Sequence, residues 1–257
     1  MNSPHILQLG SKKNSARDLP AEVTSKIQLL YAQREFLDSC GGIHRLSATS
    51  LRRDEAEALS RLILLMQPKA TLEIGLGLGA SALAITAAKY YLGDGSPHVA
   101  VDPFQHSRSG GVAIQILAEA GLSNLLQYVE DFSERYLPSL VAARKQFDFV
   151  FVDGAHGIGQ VVTEAFWIKQ LLKPGGIVAF HDGLLRSASY AVRHLVVENG
   201  YQVLDLASGT AGKLWRIVAA TRHIPKIGGW YYSTVVPCMM RSIVALQSPY
   251  YSRKDAE

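Results

Sequence analysis

The chain has 257 residues, 48% of them hydrophobic and 19% charged, with 22 glycines and 10 prolines. That balance excludes a disordered chain, a collagen-like repeat and an acidic tail, and at about 150 residues per domain it suits one large α/β domain or two small ones. A net charge of +4 is too small an excess to imply a nucleic-acid partner, and two cysteines cannot build a disulfide framework. No apolar run reaches the about 18 residues of a membrane span, and no charged leader opens into an apolar stretch, so a cytoplasmic protein without integral membrane association is expected.

Residues 1–20 are polar and aperiodic and read as a loose arm. Val23, Ile27, Leu30 and Leu37 recur at helical spacing, which predicts an amphipathic helix over residues 20–37, broken at Gly41 and Gly42. A second helix is expected over residues 53–67, with Ala56, Leu59, Leu62, Ile63 and Met66 on its buried stripe and Pro68 ending it. Residues 21–67 thus form N-terminal helices placed to cover a site.

Over residues 68–220 the chain alternates. Apolar runs at 71–75, 98–102, 125–130, 147–153 and 176–181 are each followed by a helix-period segment, at 80–91, 112–120, 134–144, 158–172 and 189–199. Strands alternating with helices call for a parallel sheet covered on both faces. The last two strands, 201–206 and 213–219, are separated only by a short turn, and a parallel pair needs a longer crossover, so they are expected as an antiparallel hairpin. The fold class is therefore α/β: a doubly wound, Rossmann-like, seven-stranded sheet, mostly parallel with one antiparallel strand, helices on both faces. Residues 221–257 stand apart as an aromatic extension with Trp230, Tyr231, Tyr232, Tyr250 and Tyr251. Three readings of it stay open: packing on the domain or on a second subunit, as in a homodimer, a flap over the substrate, or attachment to a membrane surface.

Gly75, Gly77 and Gly79 follow the first of these strands directly and precede a helix. Such a turn lets a ligand approach the backbone, and the helix start offers free N–H groups. Dinucleotide enzymes use a similar turn, so two further residues matter. Glu73 places a carboxylate inside the strand, where it is suited to a cationic amine. Asp102 closes the next strand, where an acid can accept both hydroxyls of a ribose. Ligands of open parallel sheets sit beyond the carboxyl ends of the strands, so Asp153, which closes the fourth strand, and His181 with Asp182, which close the fifth, should converge there.

The run Glu73-x-Gly75-x-Gly77-x-Gly79 with an acid closing the second strand resembles class I S-adenosylmethionine-dependent methyltransferases. The likeness continues through Val101-Asp-Pro-Phe-Gln105, Glu130-Asp-Phe-Ser-Glu-Arg-Tyr-Leu-Pro138, Phe147-Asp-Phe-Val-Phe-Val-Asp-Gly-Ala-His156 and Leu172-Lys-Pro-Gly-Gly176, in the order of the small-molecule O-methyltransferase branch. It covers roughly residues 47–219. The resemblance implies that Glu73 and the turn from Gly75 to Gly79 hold the methionine part of S-adenosylmethionine, with Ser81 on its carboxylate and Asp102 on the ribose. Asp131 and Phe132 would border the adenine, the alternatives being a helix-capping acid and a core aromatic. Asp153 would lie beside the reactive methyl, counting as a cofactor contact as well.

At the chemical end the resemblance implies His156 as general base, with Asp153, His181 and Asp182 orienting the acceptor. In the metal-dependent relatives those last three positions bind a divalent cation. Position 181 is histidine where an acid is usual, and Mg²⁺ prefers oxygen shells, so two readings stay open: a softer ion held by Asp153, His181 and Asp182, or no metal. His156, His181 and Asp182 also have capping or mutual hydrogen bonding as plain alternatives. His44 and His106 are candidates for an acceptor pocket, whereas His5, His98, His194 and His223 read as surface or structural. The expected activity is methyl transfer to a hydroxyl of a small molecule such as a sugar, a phenol or a secondary metabolite. Transfer to nitrogen or carbon, and a cofactor-binding protein with non-methylating or scaffolding use of the same pocket, are the alternatives.

Overall fold

A computed structural model describes residues 6–8, 18–33, 35–47, 50–183, 185–205 and 243–249. In chain order these form β1 (Ile6–Gln8), α1 (Ala21–Tyr31), β2 (Phe36–Leu37), β3 (Ile43–His44), α2 (Arg53–Met66), β4 (Thr71–Ile74), α3 (Ala80–Tyr91), β5 (His98–Val101), α4 (Val112–Glu119) and β6 (Leu126–Val129). There follow α5 (Ser133–Ala142), β7 (Phe147–Val152), α6 (Ile158–Leu171), β8 (Leu172–Phe180), α7 (Arg186–Arg193), β9 (Gln202–Asp205) and β10 (Val244–Gln247). The chain divides into two compact units, Asn14–Ser139 and Met1–Lys13 with Leu140–Glu257.

In the unit of residues 14–139, β4, β5 and β6 run parallel, with Glu73 opposite Ala100 and His98 opposite Leu126. Every residue of β4 is buried, as expected of a strand covered on both faces. Helix α3 is rich in alanine, and Ala80 through Lys89 are all buried, because small side chains let α1 and α2 approach it closely. Beneath the glycine-rich turn, Leu76, Ala82, Ala100, Ala113 and Leu117 form an apolar cluster.

The first helix is shorter than its apolar spacing predicts. It ends at Tyr31, and Phe36–Leu37 pair antiparallel with Ile43–His44. Leu37, counted on the buried stripe, is 61% exposed. The cause is local: the Asp38 carboxylate accepts the N–H groups of Cys40 and Gly42, each at 2.8 Å, and Gly41 takes φ +82°. A side chain that satisfies nearby backbone donors stabilises a turn against a helix.

In the other unit, β7 and β8 run parallel, with Val152 opposite Phe180. Strand β10 lies antiparallel to both β8 and β9, and β1 runs parallel to β9. The fold class is the expected one: α/β, mostly parallel, with one reversed strand. The reversed strand among the described residues comes from Val244–Gln247, inside the expected extension, while residues 213–219 lie outside the described residues. Ile6–Gln8, within the segment read as a loose arm, supplies an edge strand. Trp230, Tyr231, Tyr232, Tyr250 and Tyr251 also lie outside the described residues. Among the described residues no helix is long and apolar enough to cross a membrane.

Candidate active site

The glycine-rich turn leaves β4 with Gly75 donating its N–H to Val101 O at 2.9 Å. Gly75, Gly77 and Gly79 have φ of +86°, +51° and +85°, left-handed conformations open to glycine at little cost. At Gly79 a second constraint acts, since a Cβ there would lie 2.9 Å from Ala113 Cβ on α4. At Gly77 nothing lies within 4 Å of that position, so the turn is open on that side.

Asp102 clamps the turn. One carboxylate oxygen accepts the N–H groups of Leu76 at 2.8 Å and Gly77 at 3.1 Å, and the other accepts Phe104 N–H at 2.7 Å. A carboxylate offers about four lone-pair sites, so capacity for hydroxyl donors remains. Gln105, which sequence reasoning did not single out, is fully buried and bridges Gly77 O at 2.8 Å and Ala113 N–H at 3.2 Å. Its only sequence signal is its place in the loop after Asp102, because an uncharged amide carries no mark of burial.

Glu73, Ser81, His98 and Thr71 are all buried in one connected group. His98 Nε2 lies 2.8 Å from Glu73 Oε2 and its Nδ1 lies 3.0 Å from Thr71 Oγ1, while Ser81 Oγ donates to Glu73 Oε1. Its place in this group makes His98 a buried structural residue rather than a surface one.

Asp131 accepts the N–H of Phe132 and Nε of Arg135, each at 2.7 Å. The Arg135 guanidinium, and then the Phe132 amide, hold its carboxyl below the usual carboxylate range. It serves here as the acid at the start of α5. The Phe132 ring stands edge-on to Phe104 at 5.7 Å, with Arg135 4.9 Å above it. His44 hydrogen-bonds Asp38 at 2.8 Å, and Gly110 fits against that pair with φ +57°, its Cβ position only 2.6 Å from His44 Nε2. His106 stays exposed, 2.8 Å from Glu130.

In the unit of residues 140–257, Asp153, His156 and His181 line one small cavity together with Val152, Phe180 and Ala188. The sheet continues past β8 through His181 N–H, which donates to Val152 O at 2.9 Å. His181 Nδ1 then meets Asp153 Oδ1 at 2.9 Å. Asp182, at φ +51°, turns its carboxylate toward the histidines, with Oδ2 3.5 Å from His156 Nε2 and 3.7 Å from His181 Nδ1. The two imidazoles differ in access: the His156 side chain is 44% exposed and that of His181 2%.

This donor set does not fit a resident metal ion. The His181 nitrogen nearest both acids is taken up by the hydrogen bond to Asp153, and among the described residues no group of three His, Cys, Asp or Glu side chains is arranged to hold a cation. A single nitrogen between two carboxylates also fails the all-oxygen preference of Mg²⁺.

The methyltransferase domain family model matches residues 72–183. Curated relatives include a caffeoyl-CoA O-methyltransferase of Populus kitakamiensis, 29% identical over 54% of this chain and 57% of its own, and tapetum-specific methyltransferase 1 of Arabidopsis thaliana, 29% identical over the same shares. The chain thus spans a little over half the length of these relatives. Among solved structures, the O-methyltransferase TomG of Streptomyces achromogenes, in complex with S-adenosylmethionine, aligns with TM-score 0.51 at 21% identity, over 72% of this chain and 82% of its own. The Bacillus cereus O-methyltransferase in complex with S-adenosylhomocysteine aligns with TM-score 0.52 at 16% identity, over 72% and 80%. Residues 72–183 are a methyltransferase domain, of the class I S-adenosylmethionine-dependent type that the glycine-rich turn and the acid after β5 resemble.

Proposed function

We propose that this protein transfers a methyl group from S-adenosylmethionine to a hydroxyl oxygen of a small molecule, with His156 as general base. The observation that carries the reading is the glycine-rich turn clamped by Asp102, lying inside the matched methyltransferase domain. The relatives named as O-methyltransferases favour oxygen over nitrogen or carbon as the acceptor atom. When bound, the cofactor supplies a methyl already activated by sulfonium.

The chain's own residues have two tasks, to align the partners and to take a proton from the acceptor. The turn at Gly75–Gly79 and Asp102 bind the cofactor, with Gly77 leaving room for close approach. His156 is the imidazole with access to an acceptor, and Asp182, whose side chain is 1% exposed, orients it and stabilises its protonated form. Asp153 is held by His181 and fixes the floor beside it. No step is routed through a metal. The exposed thiol of Cys40 suits a reducing, cytoplasmic setting.

Calorimetric titration with S-adenosylhomocysteine tests the cofactor half, and one-site binding is expected. Incubation with S-adenosylmethionine and a panel of phenols and sugars, read by mass spectrometry as a gain of one methyl on oxygen, tests the rest. Absence of binding would overturn the reading. Binding with no methylated product from any acceptor would favour a scaffolding or non-methylating use of the domain.

A further inference from the structure

The hydroxyl of Ser81 is committed before any ligand arrives. It donates its single proton to Glu73 Oε1, and Glu73 Oε2 is met by His98 Nε2 at 2.8 Å, whose Nδ1 lies 3.0 Å from Thr71 Oγ1. A serine hydroxyl has one proton to give and two lone pairs to offer. Once the proton is spent on a carboxylate, the oxygen can act toward a ligand only as an acceptor. The amino-acid part of the cofactor has one strong donor, the α-ammonium, and one strong acceptor, the α-carboxylate. A hydroxyl restricted to accepting suits the first and leaves the second unserved.

We propose that Ser81 recognises the α-ammonium of the cofactor, not its α-carboxylate, and that Glu73, His98 and Thr71 act as positioning residues that set this polarity. The proposal rests on the reading of the domain as an S-adenosylmethionine site. It reassigns two residues of the family pattern. Glu73 is fully buried and acts through Ser81, passing its negative charge to the hydroxyl oxygen. His98 delivers its Nε2–H to the carboxylate, and Thr71 donates to Nδ1, which keeps the imidazole in that tautomer and neutral. The group then carries one negative charge, matched to one ammonium. Charge-assisted hydrogen bonds of this kind are the stronger ones, and burial makes the polarity costly to reverse.

The test is calorimetric, with the full chain and three probes: S-adenosylhomocysteine, its analogue lacking the α-amino group and its analogue lacking the α-carboxylate. Ser81→Ala should weaken S-adenosylhomocysteine and the decarboxylated analogue alike, by about ten- to a hundredfold, and leave the deaminated analogue within about twofold. Ser81→Thr, which keeps the hydroxyl, should restore binding. Glu73→Gln provides a second route, because its amide can donate to Ser81 and release the hydroxyl proton toward the ligand. The same probes should weaken in that variant. If Ser81→Ala instead spares the decarboxylated analogue and weakens the deaminated one, the serine holds the carboxylate and the proposal is overturned. Equal losses on all three probes in both variants, with unchanged melting temperatures, would also overturn it. Failure of the unmodified chain to bind S-adenosylhomocysteine would remove the cofactor reading itself, together with this proposal.

Discussion

His181 Nδ1 lies 2.9 Å from Asp153 Oδ1, so the histidine that follows β8 is spent on the acid that follows β7. The consequence falls on the neighbour. With His181 buried and engaged, His156 is the imidazole with access to an acceptor, and Asp182 stands 3.5 Å behind its Nε2.

Replacing His156 by alanine should therefore lower kcat by about 10²- to 10⁴-fold, the usual worth of a positioned base. The dissociation constant for S-adenosylhomocysteine should stay within about twofold. Steady-state kinetics and calorimetry on the same preparation check this, and equal losses in both would remove His156 from the chemistry.

Gly79 and Gly77 share a left-handed backbone but differ in what surrounds them. Alanine at Gly79 would collide with Ala113 on α4, so Gly79→Ala should cost about 2–4 kcal/mol, from backbone strain and overpacking together. Gly77→Ala meets open space and should cost about 1 kcal/mol of stability, while weakening the cofactor whose approach it obstructs. Urea unfolding and calorimetry on both variants separate the two effects. A larger stability loss at Gly77 would contradict this account of the turn.

Lys89 is fully buried at the end of α3, with Nζ 2.7 Å from Asp94, 2.9 Å from Lys69 O and 2.9 Å from Ser96 Oγ. Lys89→Met keeps the aliphatic stem but strands the Asp94 carboxylate, which should cost about 3–5 kcal/mol. The urea midpoint measures it. The double replacement with Asp94→Asn should recover part of the loss, because the uncompensated charge is then gone.

Asp38 is held below the usual carboxylate range by the hydrogen bond from His44, and then by the amides of Gly42 and Cys40. A carboxyl lowered in the folded state stabilises above its unfolded value of about 3.9, and that stabilisation disappears as pH falls through the folded value. The melting temperature of the unmodified chain should thus exceed that of Asp38→Asn by a constant amount near neutral pH. The gap should close as the pH drops below about 4. A gap that persists at low pH would assign the hairpin's stability to packing instead.

Much of this protein is legible without coordinates, for a physical reason. The alternation of apolar runs with helix-period segments is a local pattern, and it carries the α/β class and the mostly parallel sheet. The glycine-rich turn is legible too, since left-handed backbone at Gly75, Gly77 and Gly79 needs residues without a Cβ. Asp102 at the end of β5 follows from where ligands sit on such sheets.

Other features depend on partners far away in the chain, and no local pattern announces them. Val244–Gln247 becomes the reversed strand only because β8 and β9 leave an edge for it to join. Phe36 and Leu37 leave the helical pattern because Asp38 captures backbone donors across a turn. Gln105 acquires its role from simultaneous reach to Gly77 and Ala113. The polarity of Ser81 is set by Glu73, and that of Glu73 by His98 on the adjacent strand. The sequence by itself determined which chemical groups the site contains. Only the tertiary structure decided which of them are already bonded to one another, because hydrogen bonds between strands and loops are settled by packing and not by spacing along the chain.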